Sequence, residues 1–313
     1  MKSHPRQTDV NRVSTRARLA GFTLLLVVLF AGAAALGGAI GPARGGESAA
    51  AMEENHSGSD APHAGEGPTP GAADPVRGLA VSDNGLTLAL EQSEIERGRS
   101  EELRFSIVAS GGRTVRDFEV EHEKRMHLIV VRRDGQGFQH LHPELGEDGV
   151  WRTPITLPDA GSYRVFADFK HDGRAQTLAT DLGVDGEAAY RPLLAPARSA
   201  DAGDGYRVRL DAPGLRAGDE AELRFSVSRY GRSVRTEPYL GAGGHLVAMR
   251  EGDLAYLHVH PGGDGDGHGE SASATDSVGF MTEFPSEGRY RLYLQFRHEG
   301  QIRTAEFTRE VAR

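Results

Sequence analysis

The chain has 313 residues, a formal net charge of −9 and no cysteine. The negative balance excludes a protein whose main task is to bind nucleic acid, which needs a basic surface. The missing thiols exclude disulfides, zinc ribbons, thiolate catalysis, iron–sulfur clusters and a lipid anchor built on cysteine.

Residues 1–18 carry Lys2, Arg6, Arg12, Arg16 and Arg18 against the single acid Asp9. Residues 19–40 then run without a charge. As a helix that run spans about 33 Å at 1.5 Å per residue, the depth of a bilayer core of about 30 Å. Basic residues before it keep the N-terminus in the cytoplasm and put everything after Gly41 outside. A cleaved signal peptide is the alternative to a transmembrane signal anchor, because small residues surround Ala35. The length of the apolar run favours the anchor.

Residues 41–78 are rich in Gly, Pro and Ala and hold no Leu, Ile, Phe, Tyr or Trp. Such a segment cannot build a core and is expected to be a disordered tether.

An internal repeat follows. Glu102-Leu103-Arg104-Phe105-Ser106-Ile107 returns as Glu222-Leu223-Arg224-Phe225-Ser226-Val227, and Gly161-Ser162-Tyr163-Arg164-Val165-Phe166 as Gly288-Arg289-Tyr290-Arg291-Leu292-Tyr293. The copies span 79–185 and 204–313, with 186–203 as a linker. An insertion in copy two is expected within residues 262–276. That stretch includes Asp264-Gly265-Asp266-Gly267-His268, similar in composition to a calcium loop. Thr275 stands where a bidentate acid is needed, so it reads as a plain loop. Short β-rich runs such as 86–90, 102–108, 127–131 and 163–169, separated by Asp, Gly and Pro, predict strands. No long helical period competes. The expected fold is all-β: two tandem immunoglobulin-like β-sandwiches. Strand arginines such as Arg164 and Arg291 are expected on solvated outer faces.

The chemistry lies in eight histidines at four matched positions: His127, His140, His142 and His171 in copy one, and His245, His258, His260 and His298 in copy two. His140 and His142 are two apart, so on a strand they share a face. Asp134-Gly135 is a hairpin signal. A two-residue turn there sets His127 directly opposite His142, and one at Gly252-Asp253 sets His245 opposite His260. Each hairpin then gathers three imidazoles on one face, and each copy is expected to hold its own ion. His171 and His298 end a later strand on its apolar face. Clustered imidazoles suit Cu(II), Zn(II) or Ni(II), and a blue-copper centre needs a thiolate that the chain lacks. Methionine is not part of the shared pattern, which disfavours Cu(I). The competing reading is that the histidines are core residues satisfied by hydrogen bonds. No nucleophile elbow or other catalytic constellation occurs, so an enzyme is not expected.

The runs Met126-His127-Leu128-Ile129-Val130-Val131 and Phe138-Gln139-His140-Leu141-His142-Pro143, repeated as Gly244-His245-Leu246-Val247 and Leu257-His258-Val259-His260-Pro261, resemble YtkA-like domains of secreted or membrane-anchored bacterial proteins. The resemblance covers both repeats. It implies small sandwiches in the style of CopC-type copper proteins and a role in handling metal, copper first and zinc second, outside the cytoplasm. It implies no catalytic activity. The expected partners are the metal ion, the membrane through residues 19–40, and a cell-envelope protein. The alternative function is a non-catalytic envelope interaction module with structural histidines.

Overall fold

The computed structural model describes residues 76–261 and 277–313. The basic N-terminus, the apolar run, the tether as far as residue 75 and the insertion in copy two lie outside the described residues; the end of the tether is paired, Arg77 with Tyr256 and Gly78 with Thr177. Among the described residues no helix is long and apolar enough to cross a membrane.

The described chain is all β. Copy one contains β1 (Ser82–Asp83), β2 (Leu86–Leu90), β3 (Glu94–Ile95), β4 (Ser100–Ala109), β5 (Arg113–Thr114), β6 (His127–Arg132), β7 (Gln139–Leu141), β8 (Glu144–Leu145), β9 (Trp151–Thr156), β10 (Gly161–His171) and β11 (Arg174–Val184). Copy two contains β12 (Ser199–Asp201), β13 (Tyr206–Asp211), β14 (Glu220–Arg229), β15 (Arg232–Ser233), β16 (His245–Arg250), β17 (Tyr256–His258), β18 (His260–Pro261), β19 (Val278–Glu283), β20 (Gly288–His298) and β21 (Gln301–Val311). Copy one folds into a sheet ordered β1-β2-β4-β9-β8 and a sheet ordered β3-β11-β10-β6-β7. Copy two repeats this as β12-β13-β14-β19-β18 and β17-β16-β20-β21. Each copy is a β-sandwich, and the two form a tandem repeat.

Strand β4 shows why these sequences make strands. Leu103, Phe105 and Ile107 are fully buried and alternate with Arg104 and Ser106, the period of a sheet with one wet face. Inside the sandwich Trp151 stacks on Phe105 at 6.4 Å and meets the edge of Phe118 at 5.0 Å. The Tyr163 hydroxyl donates to the Asp159 carbonyl at 2.9 Å, and its counterpart Tyr290 donates to Ser286 O at 2.9 Å. Each bond ties the start of a long strand back to the corner before it.

Strands β6 and β10 behave differently. Leu128 and Val130 enter the core of copy one, while Ile129, Val131 and Phe166 enter a separate apolar cluster with Val247, Met249, Tyr256 and Tyr293 of copy two. A strand buried on both faces reads as a continuous apolar run, as His127-Leu128-Ile129-Val130-Val131 does. The packing between copies is two-fold in pattern. Phe138 of β6–β7 stacks on Tyr293 at 4.1 Å, and Tyr256, its repeat counterpart, packs on Phe166, the counterpart of Tyr293, at 5.6 Å. This burial corrects the expectation for the strand arginines. Arg164 is 9% exposed and Arg291 3% exposed. Arg164 donates to the carbonyls of Gly78 and Leu79 and to Asp181, and Arg291 pairs with Glu306. The outer face of each sheet is covered by its neighbour, so these guanidiniums need internal partners.

The hairpin registers are those expected, but the turns are not. Leu128 faces Leu141, Ile129 faces His140, and Val130 faces Gln139. The turn is wider than two residues: Gly135 N donates to Arg132 O and Arg132 N to Gln136 O, with Gly135 and Gly137 both at positive φ. In copy two Val247 faces His258 and Met249 faces Tyr256, while Arg250 N donates to Ala255 O across a four-residue loop. Under each turn an Arg–Asp fork, Arg132–Asp134 or Arg250–Asp253, holds the loop.

Replacing Tyr163 or Tyr290 by Phe is expected to destabilise the protein by about 1 kcal/mol each, the worth of one such hydrogen bond. Phe105→Ala is expected to cost about 3–5 kcal/mol through the cavity it leaves. Urea denaturation checks both; tyrosine variants as stable as the wild type would show that the corner bonds are idle.

Candidate metal centre

The β6–β7 hairpin delivers three imidazoles to one face. His127 opens β6, His140 lies within β7, and His142 follows it. One step beyond the Leu128–Leu141 pair, His127 comes opposite His142. Ring nitrogens of all three lie within 4.8 Å of one another. His127 is buried, and His140 and His142 are half-buried.

Proton accounting defines what the cluster wants. His127 Nε2 lies 3.1 Å from the carbonyl oxygen of Glu121. A carbonyl only accepts, so Nε2 carries the hydrogen. His140 Nδ1 lies 2.8 Å from Gln295 Oε1, and the Gln295 amide nitrogen faces Thr304 Oγ1 at 3.4 Å. Nδ1 of His140 therefore also carries a hydrogen. What remains is His127 Nδ1 facing His140 Nε2 at 3.0 Å, each with a lone pair. Two lone pairs at that distance repel unless a cation stands between them. His142 Nε2 is buried with no hydrogen-bond partner among the described residues.

A proton on His140 or His142 is a poor choice for that cation at neutral pH. Burial first, and then the neighbouring His127 and His142, push His140 down to about 3, against the bond to Gln295 and the charge of Asp168. Burial, His127 and Lys124 push His142 down to about 4. Neutral imidazoles are what a metal ion requires. The outer hydrogen bonds fit as well, since a ligating His normally donates its other N–H to a carbonyl or similar acceptor. Asp168, the β10 residue paired with His127, is buried and accepts from Thr177 Oγ1 at 2.7 Å and the Tyr256 hydroxyl at 3.2 Å. Its negative charge offsets that of a cation. An open cleft lined by Glu102, His142, Glu144 and Arg152 gives the cluster a route to solvent.

Two further imidazoles adjoin the three. His245 of copy two lies 4.5 Å from the His140 ring and 5.7 Å from the His127 ring, centre to centre. His122 lies 6.2 Å from His127 and 6.3 Å from His245. His122 and Glu123 occupy the centre of a tight turn closed by reciprocal Glu121–Lys124 bonds, both at positive φ (47° and 65°). Residues other than Gly or Asn are strained there, and such strain gathers at functional sites. The same turn presents the Glu121 carbonyl to His127.

The other candidates lie elsewhere. His171 Nδ1 donates to Asp117 O at 2.7 Å, and His298 Nδ1 bonds the Tyr206 hydroxyl at 2.8 Å. Each is satisfied within its own copy. His258 is placed by its backbone pairing with Val247, and His260 by its pairing with Met281 in the opposite sheet. His245, expected with His258 and His260, also lies beside His127 and His140 of copy one. His122 escaped the sequence reading because its repeat counterpart is Leu240. Gln295 reads from the sequence only as the counterpart of Asp168, with no role at the site.

A family model described as "Domain of unknown function (DUF8832)" matches residues 80–186 and again 200–313. No match is found among curated proteins. Among solved structures the chain is similar to a Salmonella alpha-2-macroglobulin reacted with methylamine (16% identity, TM-score 0.26, 76% of this chain and 15% of that one). It is also similar to the Escherichia coli adhesin FdeC (16%, TM-score 0.25, 75% and 66%) and the Yersinia pseudotuberculosis adhesin InvE (11%, TM-score 0.24, 74% and 60%). The chain thus spans about 15% of the macroglobulin and just under two thirds of the adhesins.

The depressed histidines set a pH dependence for the metal-free protein. The unfolded chain takes up protons near pH 6.5, whereas the folded chain resists until about 4 for His142 and about 3 for His140. Stability is therefore full above about 6.5 and falls as pH drops toward 4, by about 1.4 kcal/mol per pH unit for each proton withheld. Urea titrations at pH 7.5, 6 and 5 measure it; a flat profile across that window would contradict the buried, neutral cluster.

Proposed function

The chain belongs to the DUF8832 family, and we propose that it is a metal-binding protein whose ion, Cu(II) first and Zn(II) second, sits on His127, His140 and His142. The observation that carries this reading is the facing pair of lone pairs, His127 Nδ1 and His140 Nε2, with both opposite ring nitrogens already committed to acceptors. An all-imidazole donor set binds divalent metals best toward the end of the first transition row, and copper stands highest in that order. Met126 is buried in the core of copy one, so the donor set that supports the proposal contains no thioether.

The metal is held for homeostasis or delivery rather than turned over. The N-terminal pattern of basic residues followed by 22 uncharged ones supports a single-pass signal anchor with both sandwiches outside the cytoplasm. The H-x-H-P hairpins and their resemblance to YtkA-like domains support the same setting. The sandwiches are of the immunoglobulin kind: the order β2-β4-β9-β8 against β11-β10-β6-β7 and the tyrosine bond at the start of β10 both follow that pattern.

Loading the purified full chain with copper or zinc, followed by exhaustive desalting and elemental analysis, tests the proposal. The wild type is expected to retain the ion. The double variant His127→Ala with His140→Ala is expected to lose that equivalent and to weaken chelator-competition affinity about 100-fold or more, with an unchanged circular dichroism spectrum. Equal retention by a folded variant, or none by the wild type, would overturn the reading. In the second case the histidines serve packing in an envelope interaction module.

A further inference from the structure

We infer that the ion is shared between the two copies: His245 supplies a fourth nitrogen, so the metal staples one sandwich to the other. This rests on the metal reading above and adds to it a ligand and a consequence.

The argument is geometric. On a tetrahedral ion with nitrogens about 2.1 Å away, imidazole centres stand roughly 3.2 Å from the metal and about 5 Å from one another. Within the group on copy one, the centres are 5.2 Å apart for His127–His140, 5.2 Å for His127–His142 and 4.7 Å for His140–His142. His245 lies 4.5 Å from His140 and 5.7 Å from His127. It therefore stands beside His127 and His140 at about the spacing those two keep with each other, although it comes from a strand of the other copy. His122 is more distant from both His127 and His245, at 6.2 and 6.3 Å, and borders the group rather than completing it.

Copy two also orients a ligand. Gln295 on β20 accepts the His140 Nδ1 hydrogen and so turns Nε2 toward the ion. Tyr256 of β17 does the same for the compensating charge, donating to Asp168. Copy one alone lacks one ligand and both of these supports. Metal affinity and docking are then linked: an ion that binds only the docked form stabilises docking by its own binding free energy. The apolar cluster around Ile129, Val131, Val247 and Met249 holds the sheets together, and the ion locks their register at one end of the contact.

Pulsed EPR of the Cu(II)-loaded full chain counts the coordinating imidazoles without any variant. Four are expected, and three or fewer would overturn the shared site. His245→Ala and the more conservative His245→Gln give the second reading. Both are expected to retain the ion with affinity at least tenfold weaker and one imidazole fewer, and the rise in thermal midpoint on adding Cu(II) is expected to shrink. Variants with wild-type affinity and imidazole count would overturn this inference while leaving the metal on copy one intact. A wild type that retains no ion would overturn both.

Discussion

Two nitrogen lone pairs held 3.0 Å apart, inside a protein, are the constraint around which this molecule is arranged. His127 cannot relieve the contact by changing tautomer, because its other nitrogen is given to a carbonyl oxygen that only accepts, and His140 has its other nitrogen on Gln295 Oε1. Nor does protonation of His140 answer it at neutral pH, since burial and the crowd of imidazoles hold that ring far below its ordinary range. A divalent metal satisfies every demand at once: it takes the lone pairs, leaves the outer hydrogen bonds in place, and is balanced by the buried carboxylate of Asp168.

The architecture supplies that constraint from both halves of the chain. A sheet that faced water could not keep imidazoles dry. Here β6 and β10 are covered on one side by their own sandwich and on the other by the sheet of the second copy. The two-fold pattern of Phe138 on Tyr293 and Tyr256 on Phe166 sets the sheets face to face, and the imidazoles collect beside it. The duplicated sequence has nonetheless diverged where the copies meet. Where copy one has Asp168, copy two has Gln295; where copy one has His122, copy two has Leu240. The shared site proposed above takes different residues from each half, whereas two independent sites would need the same residues twice. The strained turn at His122 and Glu123 agrees, because its counterpart uses Leu240 and Gly241 and relieves half of that cost.

The sequence carried more of the local geometry than of the assembly. The register of both hairpins followed from Asp134-Gly135 and Gly252-Asp253, even though neither loop is a two-residue turn. The wider loops shift both strands in ways that cancel, so the facing residues are unchanged. The repeat identified the strands because their alternation is strong, as in β4 and β14. What the repeat could not say is which sheet face meets which. Arg164 and Arg291 read as solvated because alternation alone cannot tell water from a second sheet. His171 and His298 repeat at a strand end, where one bonds the Asp117 carbonyl and the other the Tyr206 hydroxyl. Chain distance hid the closeness of His245 to His140.

X-ray absorption on the copper-loaded full chain tests the central claim most directly. The account predicts a first shell of nitrogen at about 2.0 Å with the outer-shell scattering of three to four imidazoles. A first shell dominated by carboxylate or water oxygen, with at most one imidazole, would contradict it.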